Sequence, residues 1–104
     1  MDLIIAELEA DKPPLLVCPS RAYWEHLTNW LIDNYKLKYK PIYTNTPGQL
    51  RGLSHRIVFV CEHSYETFYL NPAWHHTLYR RHTVVIVKES NDYGYTFHMS
   101  PEYP

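Results

Sequence analysis

The sequence predicts an α/β fold, a small three-layer sandwich around a sheet of three to four mainly parallel strands. Three observations carry that expectation. The apolar runs Leu15-Leu-Val-Cys18, Arg56-Ile-Val-Phe-Val60 and Thr83-Val-Val-Ile-Val87 are continuous and not alternating, as strands covered on both faces require. Segments of helical period separate them, the order that builds strand–helix–strand units. The length of 104 residues, with 45% hydrophobic and 20% charged side chains, suffices for one cored domain. Residues 1–104 are therefore read as a single unit with a turn-rich tail from Ser90.

Each element has a local reason. Asp2 to Ala10 holds good helix formers with acids near its start, and Asp11-Lys-Pro-Pro14 stops it. Leu15 to Cys18 follows as a buried strand. Ser20 is placed to cap the next helix. There Tyr23, Trp24, Leu27, Trp30, Leu31, Asn34 and Tyr35 recur at helical spacing, and their aromatic stripe reads as core packing. Lys36 to Lys40 is a basic connector, and Pro41-Ile-Tyr-Thr44 a short strand. Arg56 to Val60 is the next strand, followed by a helical turn or loop from Glu62 to Leu70. Asn71-Pro72 supplies a cap and a first-turn proline for a helix running to about Arg81. After the strand Thr83 to Val87, Tyr95 to His98 can add a short strand from the tail.

The formal net charge of -1 gives no global attraction to nucleic acid or membrane. Charge is uneven, however. Asp2, Glu7, Glu9 and Asp11 make the start acidic, while Lys36, Lys38, Lys40, Arg51 and Arg56 make the middle basic, either a solvated face or a local patch. Two cysteines far apart, with no signal peptide, point to free thiols and a reducing cytoplasm. No apolar run approaches the roughly 20 residues that span a bilayer, so no membrane contact is expected. Ten tyrosines and three tryptophans suit half-buried surfaces: a small core, a partner interface or base stacking.

Taken in order, several segments resemble the ATPase core of superfamily 2 helicases. Leu15-Leu-Val-Cys-Pro-Ser-Arg21 resembles motif Ia, a strand leading through Pro-Ser-Arg into a helix, and Thr46-Pro-Gly48 resembles motif Ib. Ile57-Val-Phe-Val-Cys-Glu62 stands where motif II, the Walker B strand, would be. Gln49-Leu-Arg-Gly-Leu53 just before it is similar to the Leu-Arg-Gly segment ahead of Walker B in phage terminase large subunits. The helix at Asp2 to Ala10 resembles the one that follows the P-loop. The resemblance covers roughly residues 2 to 88. It implies a Rossmann-like, P-loop-like fold, a phage protein in the host cytoplasm, and contact with nucleic acid or with proteins of the replication or packaging machinery.

Two departures remove the family's chemistry. No G-x-x-x-x-G-K-[ST] loop is present, so the backbone nest and the lysine that hold phosphates are missing. The Walker B Asp is Cys61, a soft ligand poorly suited to magnesium. Glu62 matches the catalytic Glu but has no nucleotide-bound water to activate. ATP hydrolysis is therefore not expected, nor any cofactor or metal, and the chain reads as a non-catalytic binding module, a truncated and degenerate core. What the resemblance leaves is contact with the phosphate backbone. Ser20, Arg21, Thr46 and Gly48 match the family's contact positions, and Arg51, Lys38 and Lys40 extend the patch. The plainer alternative is that Ser20 caps a helix, Thr46-Pro-Gly48 turns the chain and the cations are solvated.

Two further classes compete. A protein-interaction factor, an inhibitor or adaptor, would use an aromatic surface, for which Tyr93, Tyr95 and Tyr103 in the tail are the candidates. A small enzyme would use Cys61 as nucleophile with His63 as base and Glu62 nearby. Cys18 and Cys61 both fall at carboxyl ends of predicted strands, where ligand sites of α/β sheets lie, so a zinc or redox role stands beside the commoner buried thiol. His75 and His76 diverge by about 100° on a helix, and no H-x-x-x-H spacing occurs, so the histidines give no metal motif. Sheet edges left bare by an absent first strand favour self-association or pairing with a partner.

Overall fold

The computed structural model describes residues 2–50, 52–65, 71–74, 82–90 and 94–99. Helix α1 (Asp2–Leu8) turns Ile4 and Leu8 into the core and stops two residues short of Ala10, ahead of the Pro13-Pro14 pair that cannot continue it. Strand β1 (Leu15–Val17) is fully buried. Ser20, in extended backbone, then caps α2 (Arg21–Asn34), its Oγ accepting from the Tyr23 amide at 3.2 Å. The stripe of α2 divides by depth: Trp24, Leu27, Thr28 and Leu31 are buried, while Tyr23, Trp30 and Tyr35 flank them half-buried. The helix ends at Tyr35, whose extended backbone still donates to the Leu31 carbonyl at 2.9 Å.

Strand β2 (Ile42–Thr44) leads into a 3-10 helix, Pro47–Leu50, and then β3 (Ile57–Cys61), buried along its whole length. Residues 62–65 and 72–74 are helical, and Asn71 Oδ1 accepts from the Ala73 amide at 3.0 Å, the cap expected there. The remainder of the helix expected up to Arg81 lies outside the described residues. Strands β4 (Thr83–Glu89) and β5 (Tyr95–Met99) complete the sheet.

Among the described residues the sheet has five strands in the order β2-β1-β3-β4-β5. The first four are parallel, and β5 runs antiparallel to β4. The three to four strands expected thus become five, because the tail supplies a complete strand. Without β5 the long β4 would present a row of unpaired backbone groups, and the side chains of Tyr95 and Phe97 have apolar neighbours to pack on.

Two apolar layers lie on opposite faces. Residues of α1 and α2 pack on Leu16, Phe59, Val85 and Val87, whereas Leu50 and Trp74 pack on Leu15, Val17, Val58 and Val60. The chain leaves β1 through α2 on one face to reach β2, then returns past β1 on the other face to reach β3. Right-handed crossovers in opposite directions require that arrangement. It is the predicted three-layer α/β architecture.

Polar groups inside the fold are used as braces. Thr44 Oγ1 donates to the Leu16 carbonyl at 3.1 Å. At the amino edge of the sheet the buried His55 Nε2 donates to the Pro13 carbonyl, and the buried His82 Nδ1 to the His55 carbonyl, each at 2.7 Å. Two of the histidines are therefore ties between connecting segments. Among the described residues no helix is long and apolar enough to cross a membrane.

Candidate functional site at the carboxyl edge of the sheet

Strand register gathers the resemblance residues. Val17 lies opposite Thr44 on one side and Val60 on the other, so the segment after β1 emerges between the ends of β2 and β3. The exposed Arg21 begins α2 there, its guanidinium carbon 5.2 Å from the Trp24 ring centroid and 5.3 Å from that of Tyr43 on β2. Each such contact is worth roughly 0.5–1 kcal/mol at an exposed site and leaves the edge of the guanidinium free to donate. Ser20, Thr46 and Gly48 are exposed at the same edge, and the first turn of α2 carries no acidic side chain.

The loop after β2 is more self-contained than a bare turn. Gln49 Oε1 accepts from the amides of Asn45 at 2.7 Å and Thr46 at 3.1 Å, so the Thr46 N–H is committed within the loop. Gly48 has ordinary backbone angles and open space around it, whereas Gly52 is the glycine with a positive φ, 80°.

Three candidates, Arg51, Tyr93 and Tyr103, lie outside the described residues. Tyr95 is corrected: it is half-buried and packs edge-on against Trp30, with ring centroids 5.0 Å apart, because β5 directs it toward the α2 face. Lys38 and Lys40 precede β2 and so stand toward the other edge of the sheet, where Lys38 Nζ is 3.7 Å from Asp11 Oδ1. They do not extend the patch around Arg21.

Between the ends of β1, β3 and β4 sits a second group of side chains. Cys18 and Cys61 are free, buried thiols in one core layer, at the ends of the neighbouring strands β1 and β3. Cys61 is pulled down to about 6: the Cys18 thiol donates to it, burial opposes, and Tyr23 and the His63 backbone add smaller support. Cys18 is pushed up by that same hydrogen bond, by burial and by the Cys61 charge. Tyr23 is pushed up by burial first, then by its bonds to Cys61 and Glu89.

The Tyr23 hydroxyl has one hydrogen for two acceptors. Its 2.7 Å contact to Glu89 Oε1 is the stronger bond, so the Cys61 thiolate depends mainly on Cys18. His63 stacks edge-on against Tyr23 at 5.3 Å, and its Nε2 is 3.7 Å from Glu89 Oε1. Glu62 Oε1 accepts from the Glu89 amide at 3.0 Å, which ties the ends of β3 and β4.

No family model, curated protein or solved structure matches the chain. The strand order reverses direction at β1 and β3, and outside the carboxyl ends of such a pair ligands of α/β sheets bind. Both groups of residues stand at that place, the cationic one toward β2 and the thiol one toward β4. Among the described residues, no three His, Cys, Asp or Glu side chains are grouped to hold a metal ion. A separate cleft of about 370 Å³ opens elsewhere, between α1 and β5, lined by Leu3, Ile4, Glu7, Ile57, Phe97 and Met99.

Sequence reasoning singled out Cys61, Glu62 and His63 but missed Tyr23 and Glu89. Tyr23 was absorbed into the core stripe. Glu89 had an available signal: it ends a buried strand, as Cys61 does, and the strand-end rule applies equally to both.

Proposed function

We propose that the protein is a non-catalytic binding module that contacts the phosphate backbone of nucleic acid through the β2-side carboxyl edge of its sheet. The setting would be the replication or packaging machinery of a phage, in the host cytoplasm. The observation that carries this reading is Arg21: an exposed guanidinium stacked on two rings at the start of a helix with no first-turn acid. A helix start leaves amide donors free and favours negative charge, and an arginine beside it adds a charged fork. Ser20 and Thr46 contribute hydroxyls nearby. The segment order shared with helicases and terminases supports an origin in such a core, and Cys61 in place of the Walker B Asp supports loss of hydrolysis.

The test is fluorescence anisotropy with labelled single- and double-stranded oligonucleotides over a salt series. Binding is expected to weaken steeply as salt rises. Arg21→Ala is expected to weaken it about tenfold and to lower the salt slope by about one, uniformly across sequences. Absence of binding at low salt overturns the reading.

A protein-interaction role is the second reading. The exposed Leu3 and Met99 beside the α1–β5 cleft favour it. One stoichiometric partner retained after nuclease treatment would support that role in place of the first.

A further inference from the structure

Cys18 and Cys61 stand side by side where two parallel strands leave the sheet. Val17 is opposite Val60, and the residue that follows each is a cysteine, Cys18 just past the end of β1 and Cys61 the last of β3. Neighbouring strands run about 4.7–4.9 Å apart, inside the roughly 4.4–6.8 Å between Cα atoms that a disulfide spans. Both side chains belong to the core layer under α1 and α2. The surroundings are unusual for inert buried thiols. Tyr23, Tyr95, His63 and Glu89 bring two hydroxyls, an imidazole and a carboxylate to the same strand ends, linked by the 2.7 Å Tyr23–Glu89 bond.

We propose that Cys18 and Cys61 form a redox-active dithiol that reduces a small hydroperoxide and closes to an intramolecular disulfide. The Cys61 thiolate attacks the terminal peroxide oxygen. The O–O bond breaks, Cys61 becomes a sulfenic acid, and the departing alkoxide takes a proton to leave as alcohol, or as water from hydrogen peroxide. Cys18 then attacks the Cys61 sulfur. The S–S bond forms as the S–O bond breaks, and the Cys18 proton leaves with the hydroxide as water. Two thiols lose two electrons and two protons, and the hydroperoxide is reduced. A thiol reductant restores the pair by disulfide exchange.

Size selects the oxidant. Cys18 is 1% exposed and Cys61 0%, beneath the half-buried Tyr23, so the reactant is small and bulky thiol reagents are excluded. The cysteines do not form part of the proposed nucleic-acid contact, and the dithiol stands or falls separately.

The test exposes the reduced, folded chain to hydrogen peroxide, quenches with acid, alkylates in denaturant and weighs the product. The expected product has lost two hydrogens, takes up no alkyl group, yields a peptide pair joined through Cys18 and Cys61, and reverts with dithiothreitol. Oxidation at pH 7 is expected to run roughly tenfold faster in the folded chain than in urea, since folding raises the thiolate fraction. In Cys18→Ser, dimedone added together with denaturant after the peroxide is expected to trap a sulfenic acid on Cys61. The proposal is overturned if both cysteines alkylate fully after peroxide, if the disulfide joins separate chains, or if the urea-unfolded chain oxidises faster. The unmodified chain decides each of these, whether or not the variant folds.

Discussion

Arg21 and Tyr23 leave the same turn of α2 toward opposite sides of the sheet, Arg21 over Tyr43 on β2 and Tyr23 to Glu89 on β4. Tyr23→Phe removes the hydroxyl bonded to Glu89, and urea denaturation is expected to show a loss of about 1 kcal/mol, with nucleic-acid binding unchanged. Ser20 serves both fold and contact, and one pair of substitutions separates the roles. Ser20→Ala is expected to lose the cap, about 1 kcal/mol, whereas Ser20→Asp keeps the cap and stability but repels phosphate and weakens binding.

The thiols give a pH signature. Cys61 falls from an ordinary 9.0 to about 6 on folding, so its thiolate contributes stability that is present above pH 9 and lost as pH falls through 6. Cys18 moves the other way and keeps its proton when the unfolded chain gives it up, so stability falls again above 9.0. Under reducing conditions, stability is expected to rise from pH 6 to 9 and then decline. Cys61→Ser is expected to flatten the rise. An unchanged pH profile in that variant would show that Cys61 stays a thiol.

Among the elements, β3 is buried along its whole length, and Phe59 at its centre is 1% exposed and 5.8 Å from the Phe97 ring. Phe59→Ala is expected to cost about 3–5 kcal/mol in denaturant titration. The two loop glycines divide by backbone. Gly52 has a φ of 80° with open space around it, so Gly52→Ala is expected to cost about 1 kcal/mol from conformation alone. Gly48→Ala is expected to be close to neutral for stability. A loss of nucleic-acid binding in that variant would then report close approach of a backbone.

Apolar runs at β1, β3 and β4, the Ser20 cap and the Asn71 cap were legible because their signals are local. The end of α1 and the pairing of β5 were less so. Both depend on neighbours distant in sequence, and Tyr95 reads as tail surface until Trp30 is placed beside it.

At the scale of the molecule, the sheet sorts the sequence by strand end. Residues after β1 and β2 share one edge, and Lys38 with Asp11 stands at the other, so Lys38 and Arg21 do not form one patch. The sheet ends at β2 and β5. β5 covers the side of β4 away from β3, which leaves a three-residue edge at β2 and a five-residue edge at β5. Self-association through the β5 edge predicts a concentration-dependent rise in mass by light scattering. A constant monomer mass would remove that route to an oligomer.

The sequence by itself determined the class of fold: buried β-branched runs, capped helices and prolines between them specify parallel strands with helices on both faces, since each is a property of a few neighbouring residues. It also determined that no phosphate-loop motif occurs and that a cysteine, Cys61, ends β3. Tertiary structure decided what those residues meet. Strand order and register bring Cys18 to Cys61, Tyr23 to Glu89 and Arg21 to Tyr43, and separate Lys38 from Arg21. No local pattern encodes such distances, because they follow from which strands pair and in which direction the chain crosses the sheet.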